Sequence, residues 1–210
     1  MALFRIIELS HGRIFIGGTD IATLPLQAVR SYLAIIPQDP VLFTGNIRFQ
    51  LDPFEQFSDA EVWDVLEKVN LAAFIRSFPE GLDEMVKENG ENLSQGQRQL
   101  LCIARALLKR VRVLIVDEGT SAVDPFTDEL IQKVLREQVV KYGCTILAIA
   151  HRLQTIIDFD RILVLSEGCV VEFDTPQNLT AREDSVFYSR RTDYLTSSTH
   201  LVFCVYYYYS

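Results

Sequence analysis

Two adjacent carboxylates, Asp117 and Glu118, end the valine-rich run Val113-Leu114-Ile115-Val116. At the carboxyl end of a buried strand in an open α/β sheet, such a pair stands where ligands bind. The chemistry it suits is nucleotide hydrolysis. Asp117 would hold a Mg²⁺ ion directly or through water, and Glu118 would polarise an attacking water. Taken alone, the pair also reads as two acids that merely end a strand. Leu93-Ser94-Gln95-Gly96-Gln97 offers a hydroxyl and a side-chain-free backbone at the start of an apolar helix, where free N–H groups and the dipole favour a phosphate. A plain helix cap is the simpler reading of that motif. Gly96 tips it toward an anion site, because glycine suits a first helical turn poorly unless something approaches closely. His151 directly follows the apolar run Thr145-Ile146-Leu147-Ala148-Ile149-Ala150, which places it on the same edge as Asp117 and Glu118, within reach of a terminal phosphate. Gln38, after Leu33-Ala34-Ile35-Ile36-Pro37, ends another apolar strand; alone it is a loop glutamine.

These residues need a scaffold that brings several strand ends to one edge. Val111 to Val116 and Thr145 to Ala150 are apolar runs almost without alternation, as buried parallel strands are. Between them Asp124-Pro125 forms an N-cap and first-turn pair, and a helix over 126–142 closes at Gly143. Strand, helix, strand at this length is a βαβ unit. Ser58-Asp59-Ala60-Glu61 is a capping box, with Val62, Val65, Leu66 and Val69 at helical spacing behind it. Ser94 to Gln97 repeats the cap spacing ahead of a helix ending in Lys109-Arg110, cations that suit its dipole. Arg13 to Ile16 before Gly17-Gly18, and Arg161 to Leu165 and Cys169 to Phe173 around Ser166-Glu167-Gly168, read as strands at turns.

The bulk properties fit one such domain. The chain has 210 residues, 49% hydrophobic and 23% charged, which suits a globular core and excludes disorder, collagen or coiled coil. The net charge of -8 leaves no global basic field to hold nucleic acid. Nothing in the sequence approaches the roughly 20 uninterrupted apolar residues of a spanning helix. Cys102, Cys144, Cys169 and Cys204 are far apart and form no CxxC pair, so three of them are expected to be reduced packing residues rather than zinc ligands or disulfides. The α/β body is expected over 1–190. Residues 191–210 read as a low-complexity tail outside it, since Thr196 to Thr199 and Leu201 to Ser210 carry no helical or turn pattern.

Together these residues resemble the nucleotide-binding domain of ATP-binding cassette (ABC) transporters, in the order that family uses. Ile36-Pro37-Gln38-Asp39-Pro40 is similar to the Q-loop and Leu93 to Gln99 to the signature motif. Val113 to Glu118 is similar to the Walker B strand, Ser121-Ala122-Val123-Asp124 to the D-loop and Ala150-His151-Arg152 to the H-switch. The likeness runs from about Phe4 to Tyr188. Gln38-Asp39-Pro40-Val41-Leu42-Phe43-Thr44-Gly45 and Leu51-Asp52-Pro53-Phe54 resemble the second such domain of the C subfamily, the multidrug-resistance-associated group. A glutamate at 118 supports the second domain, the hydrolysing half of an asymmetric pair. Gln95, where small or aliphatic residues are usual, and Gly119, where alanine is general, are expected to tune activity rather than abolish it.

The resemblance implies an α/β, P-loop NTPase-like ABC ATPase domain with a helical signature subdomain. It implies ATP and Mg²⁺ as cofactors, with Glu118 and His151 catalytic. Gln38, Ser94, Gly96, Gln97, Asp117 and Asp124 would bind nucleotide, and Gln38 and Asp117 would bind the metal. The implied partners are a second nucleotide-binding domain, packed head to tail, and the transmembrane domains of a transporter. Nucleic acid is not among them. The place would be the cytoplasmic face of a membrane, reached only through those partner domains, with the isolated chain cytosolic. One departure is large: the family's Walker A loop, G-x-x-x-x-G-K-[ST], occurs nowhere in the 210 residues. That loop supplies the amide cradle, the lysine and a Mg²⁺ ligand, so the N-terminal strands and Walker A are expected to be missing and the site incomplete in cis. Ser94, Gly96 and Gln97 would still cover a nucleotide bound by a partner.

Three other readings stand beside the ATPase fragment. One is a non-hydrolysing regulatory or interaction fragment, as in members of the subfamily that act on channels. Another is a DNA-repair ATPase of the structural-maintenance type, which the short spacing from Gln38 to Ser94 and the negative charge oppose. The last is a non-functional truncated product without a stable fold, which a cooperative thermal transition would count against. The 210 residues alone are expected to show no measurable ATP turnover in a phosphate-release assay; turnover that disappears in Glu118→Gln contradicts this.

Overall fold

The computed structural model describes residues 1–117, 123–149, 159–189 and 200–206; for Asn89, Tyr188, Ser189 and 200–206 it describes the backbone only. The strands are β1 (Phe15–Ile16), β2 (Thr19–Asp20), β3 (Leu33–Ile36), β4 (Gly45–Asn46), β5 (Met85–Val86), β6 (Val113–Asp117), β7 (Thr145–Ile149), β8 (Arg161–Ser166), β9 (Cys169–Asp174) and β10 (His200–Tyr206). The helices are α1 (Leu26–Ser31), α2 (Ile47–Leu51), α3 (Asp59–Lys68), α4 (Ala72–Arg76), α5 (Gln95–Leu108), α6 (Pro125–Tyr142), α7 (Pro176–Thr180) and α8 (Val186–Ser189).

Six strands form the main sheet in the order β3-β6-β7-β10-β8-β9. β3, β6 and β7 pair in parallel, with Ile36 opposite Val116 and Asp117 opposite Ile149. β8 and β9 form the expected antiparallel pair, turning through Glu167 at φ 50° and Gly168 at φ 78°. The βαβ unit is present as β6-α6-β7. Asp124 caps α6, Pro125 fills its first turn, and Gly143 ends it in the left-handed conformation at φ 62°.

The sheet buries one face. Ala34, Ile36, Leu114, Val116, Ile146, Ala148, Ile162 and Val164 point into the main core, where α5 and α6 supply Leu101, Ile103, Leu107, Ile131 and Leu135. The opposite face is covered only near one end, where Leu33 and Val113 meet Ile21, Val29, Phe4 and Ile16. Ile35 on that face is 46% exposed, and Ile115, Leu147, Ile149, Leu163 and Leu165 are half-buried. The unbroken apolar runs predict burial on both faces; among the described residues, burial alternates along β6 and β7 instead.

Residues 191–210 read as lying outside the domain, yet β10 runs within the sheet, antiparallel to both β7 and β8. The physical reason is composition. Leu201 to Tyr206 is free of charge, glycine and proline and rich in β-formers, so it pairs readily with open strand edges.

In the helical part, one polar hub ties α2 to α3. Asp52 is 4% exposed. Its carboxylate accepts from the amides of Gln56 at 3.0 Å and Phe57 at 2.8 Å and from Arg48 Nη1 at 3.1 Å. Arg48 also donates to Asp59 Oδ1 at 3.1 Å and to the Phe57 carbonyl, so the end of α2 is tied to the start of α3. Burial alone would raise the Asp52 pKa, but the two amides and the guanidinium outweigh it and hold the carboxyl below its ordinary value. The contribution of ionised Asp52 is therefore complete above the unfolded carboxylate pKa and lost as pH falls through the lower folded value. Asp52→Ala is expected to destabilise the chain by about 2–3 kcal/mol near neutral pH. In urea titrations at several pH values, its difference from the unaltered chain shrinks on acidification.

Candidate functional site

The parallel register of β3, β6 and β7 builds an edge of chemically useful residues. Ile36 ends β3 opposite Val116, and exposed Gln38 follows two residues on. Asp117 is the last residue of β6 and half-buried. Ile149 lies opposite Asp117 at the end of β7. Gln38 and Asp117 thus emerge from neighbouring strands on one edge. Glu118 and His151, the expected catalytic pair, lie outside the described residues.

The second part of the site is the start of α5. Ser94 is its N-cap: Ser94 Oγ accepts from the Gln97 amide at 3.2 Å, while Gln97 Oε1 accepts from the Ser94 amide at 2.8 Å. Ser94 and Gln97 bond each other, so the cap is self-contained. The amides of Gln95 and Gly96, in the first turn, have no intrahelical partner by helix geometry. The turn before the cap depends on Gly90, at φ +71°, where an added Cβ would lie 2.7 Å from Arg98 Cδ and 2.9 Å from Leu42 Cδ1.

The link between cap and edge runs through α5 itself. Gln99 is fully buried and its Nε2 donates to the Pro37 carbonyl at 3.0 Å, while its Oε1 is buried without a partner. Two turns on, Arg105 Nη2 donates to the Val41 carbonyl at 3.2 Å, and Cys102 Sγ makes a weak 3.8 Å contact with the same oxygen. Burial pushes the Cys102 thiol pKa up, against the pull of Arg105 beside it. From the other side, Gln50 of α2 accepts from the Phe43 amide at 2.9 Å and donates to its carbonyl at 2.6 Å. The stretch from Pro37 to Phe43, with Gln38 in it, is thereby held by side chains of two helices.

Asp124 serves α6. Its carboxylate takes the Thr127 hydroxyl at 2.6 Å and the Thr127 amide at 3.0 Å, and these bonds hold it below the ordinary carboxylate range.

The ABC transporter family model matches residues 1–121. ATP-binding cassette sub-family C member 3 of Rattus norvegicus is 52% identical over 92% of this chain, and ABC transporter C family MRP4 of Zea mays is 50% identical over 94%. The chain belongs to the ABC transporter family. Multidrug resistance protein mrp-7 of Caenorhabditis elegans, 49% identical over 95% of the chain, extends the same likeness. These relatives mark an ATP-binding domain of the C subfamily, and this ABC chain spans 12% to 13% of their length. Among solved structures, that of a bacterial Atm1-family ABC exporter with ATP bound superposes with a TM-score of 0.81 at 38% identity, over 90% of this chain and 34% of that one. The α/β fold of an ABC ATPase domain is thereby established.

The donors of the ABC chain fit Mg²⁺ with a nucleotide. Asp117 and Gln38 offer hard oxygens. Mg²⁺ usually takes one or two carboxylates, waters and substrate phosphates rather than an all-protein cage. Two contributors escape a reading of motifs: Gln99, quoted only as the tail of the signature, and Gly90. The available signal for Gln99 was its position four residues before Ile103, on the buried face of α5.

Gly90→Ala is expected to destabilise the ABC chain by roughly 1–3 kcal/mol, through backbone strain and the clash with Leu42. Ser94→Ala should cost about 1 kcal/mol, through loss of the cap. Urea unfolding followed by circular dichroism measures both.

Proposed function

We propose that the chain is an ATP-binding and ATP-hydrolysing domain that powers export by a C-subfamily ABC transporter, and that it is the second of that transporter's two nucleotide-binding domains. The observation that carries this reading is the register that puts Asp117 and the Gln38 segment on one sheet edge, with the cap of α5 tied to that segment through Gln99.

Each residue has a task in this reading. Asp117 and Gln38 hold Mg²⁺, which when bound neutralises negative charge on the phosphates. Glu118 accepts a proton from the attacking water, and His151 donates to the terminal phosphate. Ser94, Gly96 and Gln97 present the start of α5 to a nucleotide held by a second nucleotide-binding domain, packed head to tail. Asp124, the cap of α6, binds nucleotide in this reading from the segment that precedes that helix. The phosphate cradle comes from residues other than these 210, which contain no G-x-x-x-x-G-K-[ST]. Transmembrane domains supply the path for the exported molecule, and the domain sits at the cytoplasmic membrane face through them; among the described residues no helix is long and apolar enough to cross a membrane.

A second reading, favoured by the first-turn amides that the Ser94 cap leaves free at the start of α5, is a non-hydrolysing half-site that covers a partner's nucleotide with Ser94, Gly96 and Gln97. One experiment separates the two. In the transporter that contains this sequence, Glu118→Gln is expected to lower ATP turnover at least about a hundredfold while ATP binding persists. Unchanged turnover assigns the domain to the half-site reading.

A further inference from the structure

Gln99 lies where the two parts of the candidate site meet, and its amide does something that packing does not call for. The side chain is fully buried on α5, with Nε2 donating to the Pro37 carbonyl at 3.0 Å and Oε1 left without a partner. A buried acceptor with no donor costs stability, so an apolar side chain of the same size would serve the core better. The amide therefore counts for its donor end. That donor reaches 62 residues back in the sequence, to one particular peptide unit.

The unit is the one that leads into Gln38. A peptide group is planar, so the Pro37 carbonyl oxygen and the Gln38 Cα turn together about the Pro37 Cα–C bond. Behind that bond the chain has little freedom. Ile36 is paired with Val116 in the sheet, its place before a proline keeps it extended, and the proline ring locks φ of Pro37 at about −65°. The ψ of Pro37 is the last soft torsion between the sheet and Gln38, and a bond to the Pro37 oxygen fixes it. Arg105 and Gln50 act further on, at Val41 and Phe43, three and five residues past Gln38.

We propose that Gln99 is a positioning residue for the metal site: by holding the Pro37 oxygen it sets the point from which the Gln38 side chain reaches Mg²⁺. The inference rests on the reading of Gln38 as a Mg²⁺ ligand and adds to it the residue that aims the ligand. Residues that orient a metal ligand from behind typically contribute roughly tenfold to a hundredfold in metal affinity.

The test uses the transporter that contains this sequence and the variant Gln99→Met, which keeps the volume of the side chain and removes its donor. Two readouts are expected to move. In hydrogen exchange, the backbone amides of Gln38 and Asp39 exchange at least about threefold faster, while those of Leu101 to Leu107 keep their protection. In ATP turnover, the Mg²⁺ concentration that gives half the maximal rate rises about tenfold. Loss of folded protein lowers the maximal rate and leaves that concentration where it was. Gln38→Ala should give the same shift, and Gln99→Met should add nothing to it in the double variant, because both act through one group. A shift in Gln38→Ala with none in Gln99→Met, additive shifts in the double variant, or unchanged exchange at Gln38 and Asp39 overturns the proposal and leaves Gln38 a ligand. No shift in either single variant removes the ligand reading, and the proposal with it. If Gln99→Met does not fold, Gln99→Ala, too short to reach Pro37 and forcing no bulk into the core, is measured in its place. Failure of both to fold makes Gln99 a core residue and overturns the proposal.

Discussion

The candidate site depends on one buried helix. α5 begins at the Ser94 cap and packs Leu101, Ile103, Ala104 and Leu107 into the core. From the same helix Gln99 and Arg105 reach across to the carbonyls of Pro37 and Val41. Each large apolar side chain buried along α5 favours its place by about 1.5–3 kcal/mol, far more than any single loop hydrogen bond contributes. The helix is therefore the rigid partner, and the stretch from Pro37 to Phe43 takes its position from it. Any shift of the cap relative to the sheet has to be shared with Gln38, because Gln99 lies between them.

The sheet supplies the complementary constraint. Parallel pairing fixes Ile36 against Val116 and Asp117 against Ile149, so the strand ends reach one edge without help from side chains. That order is secured on the face covered by α5 and α6. On the other face, Leu33 and Val113 are covered by a small cluster while Ile35 remains exposed. The edge that carries Asp117 is thus built on a sheet with unequal packing, and its precision comes from the side where the helices lie.

Much of this was legible in the sequence, and the division follows the range of the signals. The caps at Ser58, Ser94 and Asp124 and the left-handed Gly143 are written in four or five adjacent residues, and the structure reproduces each of them. The parallel pairing of β6 with β7 was readable from a helix of suitable length between two apolar runs. Which strand lies beside which is a long-range property: the slot for β10 depends on β7 and β8 presenting open edges, and no local pattern near Leu201 records that. Apolar runs also fail to tell two-sided from one-sided burial, since Val113 and Ile115 would read the same in either case. At the site, strand-end positions such as Asp117 and Gln38 were readable because the edge of an α/β sheet is where ligands bind. The task of Gln99 was not, because a polar residue within a helix reads as surface until its buried neighbours are known. Glu118 and His151 keep their roles as proposals.

Having a central strand that follows both of its neighbours in the sequence also sets a schedule for assembly. During synthesis β7 and β8 emerge before β10, so the sheet can be closed only after the 33 residues from 167 to 199 and β10 itself have followed β8. Pairings this distant are slow to form, and the interval leaves unpaired strand edges available to other molecules. For this fold, the hazard of aggregation belongs to birth rather than to the finished state, and the yield of folded protein will follow how quickly the last strand finds its place.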